Sequence, residues 1–443
     1  MKRRKITFIG SGSLTFTVNL ARDLLTFDAF KDAEIALMDI HEGRLEYSRL
    51  AVEKLVKANG ASATVTATTN RREALKDADG VLLTILHGDI DIWRYDIEIP
   101  KEYGVDIVIG DTRGPSGIFR FLRTAPVMLD IIRDAEELCP EAMILNYTNP
   151  MAMLCSYLQK NSFMNITGLC HSVQGTAEML ARWIGAPMSE ITYTCAGVNH
   201  QSFYLNYDWN GKDANPLIKE AILTRSEIYN EEIVRNEMFL QLGYYPTESS
   251  GHDSEYVAWF RKRQDLIDKY CLPGTGWNPG EYAAILKFYE KNKSSWEDRF
   301  KEMLANDDIN LNRGGEYAAY IFNAMFGDYT PFEFNGNVTN NGIIPNLPDE
   351  SCVEVPMIAS RSRVRAFQNG PLPDNLAILV NTTTMCENLA VRAVMEGNGE
   401  LIYQAILFDP LSAAVLSMAE IREMTKQMFE KNKDYLGYFK TFP

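Results

Sequence analysis

Lys5-Ile6-Thr7-Phe8-Ile9-Gly10-Ser11-Gly12-Ser13-Leu14-Thr15 is the stretch that decides the fold of this chain. Its first five residues read as a strand, and apolar positions then recur at helical spacing from Leu14 to Leu25. A strand that passes through two glycines directly into a helix is the turn of a nucleotide-binding βαβ unit. Gly10 permits the tight turn, and Gly12 lets a pyrophosphate approach the backbone at the helix N-terminus. The third glycine of that fingerprint is replaced by Thr15. Asp39 closes the next strand, Glu34–Met38, where a carboxylate binds both ribose hydroxyls and repels a 2′-phosphate, favouring NAD over NADP. A plain strand-to-helix turn competes with this reading. The position of the motif as the first turn of the chain, with an acid at the second strand end, favours Gly10, Ser11, Gly12, Ser13 and Asp39 as a cofactor site.

Outward from this turn the alternation continues. A helix is predicted over Glu42–Lys57, strands over Thr64–Thr68 and Val81–Leu86, a long helix over Ile118–Leu138, and strands over Met143–Tyr147 and Ile166–Leu169. This is the pattern of a doubly wound parallel sheet, as in the lactate and malate dehydrogenase folds. Past Ile191 the rhythm changes to two extended segments over Ile191–Tyr207 and then to helices over 217–242, 253–269, 279–304 and 315–326. Loops are predicted at 335–349 and 369–375, where Gly, Asn and Pro collect, and closing helices over Asp374–Gly397 and Glu400–Lys431. The expected division is a Rossmann-like NAD-binding domain, 1–190, and a mixed α/β domain for substrate and oligomerisation, 191–443.

Composition narrows the function. The 443 residues carry 44 Lys plus Arg against 59 Asp plus Glu, a net charge of −15. That excess acidity speaks against a nucleic-acid partner and against a polybasic membrane contact. No apolar run approaches the ~18 residues of a membrane span, and the basic start lacks the long apolar stretch of a secretory leader. Seven cysteines (139, 155, 170, 195, 271, 352 and 386) with no CxxC pair are not a disulfide scaffold, so a reducing cytoplasm is expected. Only five histidines are present, at 41, 87, 171, 200 and 252, and any imidazole chemistry must come from them.

Two further strand ends carry chemistry. Cys170-His171-Ser172-Val173 follows the Ile166–Leu169 strand, and Gly197-Val198-Asn199-His200 ends an extended segment. Cys170 and His200 offer a soft and a borderline ligand for a divalent ion that keeps open positions for substrate oxygens. A buried structural thiol is the plainer reading of Cys170, since two isolated residues thirty apart are no metal signature, and a Cys-His nucleophile is awkward because neighbouring residues on a strand face opposite ways. Asp111–Gly117 precedes the long helix as a candidate substrate loop, and Asn146–Pro150 lies at the same sheet edge. Glu248–Tyr256 concentrates acids, an imidazole and a phenol, and by spacing alone it reads as a capped helix start.

In this order, Lys5–Ser13, Asp111–Gly117, Asn146–Pro150, Cys170–Gly175, Gly197–His200, Glu248–Tyr256 and Ala413–Leu416, the chain resembles glycoside hydrolase family 4, the NAD- and metal-dependent glycosidases. The resemblance covers nearly the whole chain. It implies that Cys170 and His200 hold Mn²⁺ or another divalent cation and that Asn149, Asp111 and Arg113 bind a small-molecule sugar. Tyr256 is implied as the base, with Asp253 competing, and His171 as a further catalytic residue of either sense. His171-Ser172-Val173 after the cysteine is similar to the α-galactosidase branch, which implies a non-phosphorylated substrate of melibiose type. The implied reaction oxidises the sugar at C3 with NAD, deprotonates C2, eliminates the aglycone, adds water and returns the hydride, an exception to two-carboxylate glycoside hydrolysis. A homodimer or homotetramer is implied as well. The alternatives are an α-glucosidase or an α-glucuronidase or galacturonidase of the same family, an NAD-dependent 2-hydroxy-acid dehydrogenase using Arg113, Arg120 or Arg123 with His200, and a silent NAD-binding regulator.

Overall fold

The computed structural model describes residues 3–272, 280–306, 308–361 and 363–442, with backbone alone at Leu14 and Thr15. Twelve strands share one sheet: β1 Lys5–Ile9, β2 Glu34–Met38, β3 Thr64–Thr68, β4 Gly80–Leu83, β5 Met143–Asn146, β6 Asn165–Gly168, β7 Ile191–Val198, β8 Gln201–Trp209, β9 Lys212–Asp213, β10 Phe332–Thr339, β11 Cys352–Ser360 and β12 Arg363–Ala366. Their order is β3-β2-β1-β4-β5-β6-β10-β11-β7-β8-β9, with β12 beside β11. β1 to β6 pair in parallel, which is the expected doubly wound half. The remaining pairs are antiparallel. The two halves meet through one register pair, Asn337 with Gly168, and β11 meets β7 through one more, Glu354 with Gly197.

The parallel strands are buried on both faces, as crossover helices require. Along β5, Met143 and Leu145 face one core and Ile144 the other. The second core also takes in residues of the helices Asp374–Glu396, Gly399–Leu407 and Met418–Asn432, so the end of the chain returns to cover the first half. We propose the division at residue 190 as one between nucleotide-binding and substrate-binding halves of this continuous sheet.

Several elements differ from the sequence reading, each for a tertiary reason. The expected 217–242 helix is broken into Asn215–Thr224, Ser226–Glu231 and Ile233–Leu242: Arg225 turns extended and its guanidinium bonds the Trp183 carbonyl, and Glu232 leaves the helical region and accepts from Ser250 N–H at 2.8 Å. The expected 253–269 helix is short, Ser250–Tyr256, because the chain turns so that Arg261, 1% exposed, reaches the Asp106 carboxylate and the Gly280 carbonyl. Pro410, at the first turn of a helix capped by Asp409, divides the expected 400–431 helix. The helix Ala284–Ala305 matches the 279–304 expectation, whose first residue, Pro279, lies outside the described residues. Most consequential, the loop expected at 335–349 is a strand as far as Thr339: Asn335 donates to Cys195 O at 2.8 Å and Asn337 to Gly168 O at 3.2 Å. Asn and Gly disfavour strands in isolation, and here the fold supplies partners for their amides. Among the described residues no helix is long and apolar enough to cross a membrane.

Candidate active site

The C-terminal ends of β1 and β2 build the first part of the site. Gly10 turns at φ +91, and its N–H and that of Ser11 both donate to Met38 O at 2.9 Å. Ser48 and Thr17 hydroxyls hold the Ser11 carbonyl at 2.7 and 2.8 Å. Gly12 N–H donates to Asp39 Oδ2 at 2.7 Å, and His41 N–H to its Oδ1 at 2.8 Å. A Cβ on Gly12 would lie 2.7 Å from Asp39 Oδ2, so the turn has no space for a side chain. The helix Leu14–Leu25 has no side-chain cap from Ser13 and no acid in its first turn, which leaves its N–H groups for an anion. Glycine cradle, bare helix start and the Asp39 carboxylate at the end of β2 form a shape and charge pattern that fits a dinucleotide.

Further along the same edge lies a buried cluster. Ligand atoms of Cys170, His200 and Glu248 fall within 4.8 Å of one another, and so do those of Asp111, His200 and His252, the two groups sharing His200. Cys170 stands two residues beyond β6, its Sγ 3.2 Å from Ser172 Oγ. His200 turns between β7 and β8 at φ +63, with Nδ1 3.1 Å from Thr112 Oγ1 and 3.3 Å from Tyr256 OH, and Nε2 3.3 Å from Glu248 Oε2. Asn149 Nδ2 donates to Asp111 Oδ2 at 3.2 Å, while its buried Oδ1 has no partner among the described residues. The Arg113 guanidinium sits 4.7 Å over the Tyr256 ring, donates to Asn199 O and lies 3.2 Å from Glu387 Oε1.

The Asp111 segment, expected as a flexible substrate loop, is clamped. Glu255 accepts from Val108 and Ile109 N–H through Oε2 at 2.7 and 3.1 Å and from Gly110 N–H through Oε1 at 2.8 Å. Ser116 Oγ closes the turn on Gly110 O at 2.6 Å. The helix Ser250–Tyr256 is therefore more than a capped start. Ser249 makes no side-chain cap bond, and its hydroxyl meets His252 Nδ1 at 2.9 Å.

Burial dominates the electrostatics, and neighbours decide the outcome. Burial lowers His200 to about 4 against the pull of Glu248, which leaves the neutral imidazole a metal ligand needs. Burial alone would also lower His252, but Glu248 and Asp111 raise it to about 9. Burial opposes ionisation of Asp111 as well, yet the His252 hydrogen bond and charge hold that carboxyl well below the usual range. Burial, Glu248 and Glu354 all push the Cys170 thiol up. Burial and then Asp111 raise the Tyr256 phenol well above its ordinary value, and Arg113 acts the other way. A thiol, an imidazole and a carboxylate around one point, with the unsatisfied Asn149 oxygen nearby, form a donor set that suits a divalent transition metal.

The structure thus brings together Cys170, His200, Asp111, Asn149, Arg113 and Tyr256. It does not bring His171 among them: that side chain is 55% exposed, with Nδ1 3.8 Å from Glu316 Oε1 at the rim. Asp253 is buried one turn before Tyr256, and neither carboxylate oxygen has a hydrogen-bond partner among the described residues. Burial raises it well above the usual range, with Arg235 opposing. Sequence reasoning passed over Glu248, Thr112, Glu255 and Glu387. The density of polar residues over Glu248–Tyr256 was the one signal that pointed to the first and third. Of the other arginines, Arg123 is paired with buried Asp96 and Arg120 stacks 4.4 Å over Trp93. His41 caps the helix Glu42–Ala58, and His87 lies edge-on to Tyr435.

Comparison with known proteins agrees with this geometry. Residues 5–186 match the family 4 glycosyl hydrolases and residues 195–412 the family 4 glycosyl hydrolase C-terminal domain. An α-galactosidase of Bacillus subtilis (strain 168) is 37% identical over 440 residues, covering 99% of this chain and 100% of the relative. One from Rhizobium meliloti (strain 1021) is 33% identical over 442 residues, covering 98% and 89%. In fold, the chain is similar to a Bacillus subtilis protein described as a glucosidase (TM-score 0.84, 24% identity, 96% and 99% of the two chains). It is similar also to a 6-phospho-α-glucosidase from gut microorganisms solved with NAD and Mn²⁺ (0.82, 20%, all of both chains). Malate dehydrogenase from Plasmodium falciparum shares the fold more distantly (0.52, 13%, 89% and 99%).

Proposed function

The chain belongs to glycosyl hydrolase family 4, and from that premise we propose that it hydrolyses non-phosphorylated α-galactosides of melibiose type with NAD and Mn²⁺, or another divalent cation, as cofactors. One observation carries this reading: a nucleotide cradle and a buried thiol–imidazole–carboxylate cluster lie on the same edge of one sheet. The two α-galactosidase relatives support the sugar, and the related fold solved with NAD and Mn²⁺ supports the cofactors. A hydroxy-acid dehydrogenase would share the nucleotide cradle but has no task for Cys170.

When bound, NAD supplies a reversible hydride acceptor and the metal a Lewis acid for developing oxyanions. The residues of the chain do the rest. Gly10–Ser13 receive the pyrophosphate and Asp39 the ribose hydroxyls. Cys170, His200 and Glu248 hold the metal, and Asn149 with Asp111 orients the sugar hydroxyls next to it. Tyr256, in contact with His200 and under the Arg113 cation that opposes the rise of its phenol, takes the proton from C2 as the phenolate. Asp253 is the weaker candidate base, because its buried carboxylate makes no hydrogen bond to any described residue of the cluster, whereas Tyr256 contacts His200. His171, at the rim, exchanges a proton with the leaving oxygen.

Reduced protein incubated with Mn²⁺, NAD and an aryl α-galactoside is expected to release the aryl group only when NAD is present, while absorbance of NADH stays flat. Stoichiometric NADH from a hydroxy acid would sink the proposal, and faster turnover of the aryl glucoside or galacturonide would move it to another branch of the family. At the cradle, Gly12→Val is expected to weaken NAD binding by at least about a hundredfold, roughly 3 kcal/mol, because the added carbons compete with Asp39 for one space. Fluorescence titration with NADH checks this, and unchanged affinity would place the nucleotide elsewhere. We propose a homodimer or homotetramer in a reducing cytoplasm, a reading supported by seven unpaired, buried cysteines and by Ile378, Met385 and Met395 exposed on the helix Asp374–Glu396. Sedimentation checks the oligomer.

A further inference from the structure

Gly168, Asn337, Glu354, Gly197 and Ser202 form one row across β6, β10, β11, β7 and β8, each the register partner of the next. Two of the four steps, Gly168 to Asn337 and Glu354 to Gly197, are the single-pair joints of the sheet. Backbone pairing is weakest there, and there the row carries buried polar side chains. Asn337, Glu354 and Ser202 are all 0% exposed. Asn337 Nδ2 reaches Gly168 O at 3.2 Å and Glu354 Oε1 at 3.5 Å. Ser202 Oγ donates to Glu354 Oε2 at 2.8 Å and lies 3.1 Å from Val198 O. The carboxylate is thus the middle of a side-chain chain that runs from the end of β6 to the β7–β8 turn.

Those two ends carry the cluster. Cys170 stands two residues past Gly168, and His200 lies within the turn between Gly197 and Ser202. Along the row the two segments are three strand spacings apart, roughly 14 Å at about 4.8 Å each. Even so, their ligand atoms come within 4.8 Å. Their convergence therefore depends on how the sheet bends at two joints that a single backbone pair apiece does not fix. Burying a carboxylate and an amide in this row is costly unless both are bonded, and their bonds cross those joints.

We propose that Glu354 is a positioning residue of the metal site, acting through Asn337 and Ser202 to set the approach of Cys170 to His200. The inference rests on the reading of Cys170 and His200 as metal ligands. It requires no contact between Glu354 and the metal; its effect is that of an outer-shell partner that orients ligands.

The test measures binding directly. Mn²⁺ affinity is read from the electron paramagnetic resonance of the free ion, NAD affinity by fluorescence, and folding by thermal melting, on the full chain and on Glu354→Ala, Glu354→Gln and Ser202→Ala. Glu354→Ala is expected to weaken Mn²⁺ about 10–100-fold, the usual range for an outer-shell partner, with NAD affinity unchanged within about twofold. Glu354→Gln, which keeps both bonding positions, is expected to stay within about threefold of the parent. Ser202→Ala, a small change at the edge of the row, is expected to cost about fivefold and keeps the test open should Glu354→Ala not fold. Equal loss in the Gln and Ala variants, or a proportional loss of NAD and Mn²⁺, overturns the positioning role. A parent chain that binds no Mn²⁺ refutes the metal reading and this inference with it. A parent that binds it, beside alanine variants that bind equally well, refutes this inference alone.

Discussion

Cys170→Ala is expected to lower kcat/KM on an aryl α-galactoside by at least about a thousandfold, roughly 4 kcal/mol, while NAD binding and melting temperature stay close to those of the parent. Cys170 belongs to the cluster with His200 and Glu248 and lies beyond β6, outside the sheet ladder, so its loss removes a ligand without disturbing the fold. The cost comes from the oxyanions of the reacting sugar, which lose their Lewis acid in a site where water is excluded. Mn²⁺ titration of the variant should show affinity falling in parallel with activity. Full activity after the metal is stripped would mean that the thiol is an ordinary buried side chain and that the metal site has been misplaced.

The second large effect belongs to a residue that touches none of the reacting groups. Glu255→Gln is expected to cost roughly 2–4 kcal/mol of stability and most of the activity. One carboxylate currently accepts three backbone N–H groups, from Val108, Ile109 and Gly110. An amide presents only one oxygen, so at least one N–H is left facing an NH₂ in the interior, at about 1–3 kcal/mol for each unsatisfied group. The segment released is the one that delivers Asp111, Thr112 and Arg113. Urea denaturation should show the lowered midpoint with an unchanged slope. A midpoint equal to that of the parent would show that the segment is held by other means, and the account of the clamp would fall.

Much of the first half of the molecule was legible because its signals are local. Gly10 is required by its positive φ within one turn, and Gly12 by the Asp39 carboxylate of the neighbouring strand end, which bonds its N–H and fills the space of a side chain. The alternation of apolar runs with helical periodicity has one common packing solution, a parallel sheet with helices on both faces. In the second half, single residues that reach distant partners override local pattern. Arg225 breaks a periodic helix by bonding Trp183 O, and Arg261 ends another by reaching Asp106. Asn335 and Asn337, read as loop residues, become strand residues because Cys195 and Gly168 offer carbonyls to them.

The candidate site divides along the same line. Strand-end position singled out Cys170 and His200 in the sequence, and the resemblance to family 4 added Asn149, Asp111, Arg113 and Tyr256 through its ordered set of motifs. The sequence also set the residue types available: seven thiols and five imidazoles within an acidic chain whose cysteines form no disulfide. Only the tertiary structure decided that Glu248 and His252 face the cluster instead of merely beginning a helix, that His171 stays at the rim, and that Glu255 and Glu354 hold the ligand-bearing segments from behind. The physical reason is range. Turn chemistry, caps and periodicity act over a few neighbouring residues and are written in order along the chain. Cys170 meets His200 across two single-pair strand joints that are bridged by Asn337 and Glu354, side chains more than a hundred residues away whose partners no local pattern names.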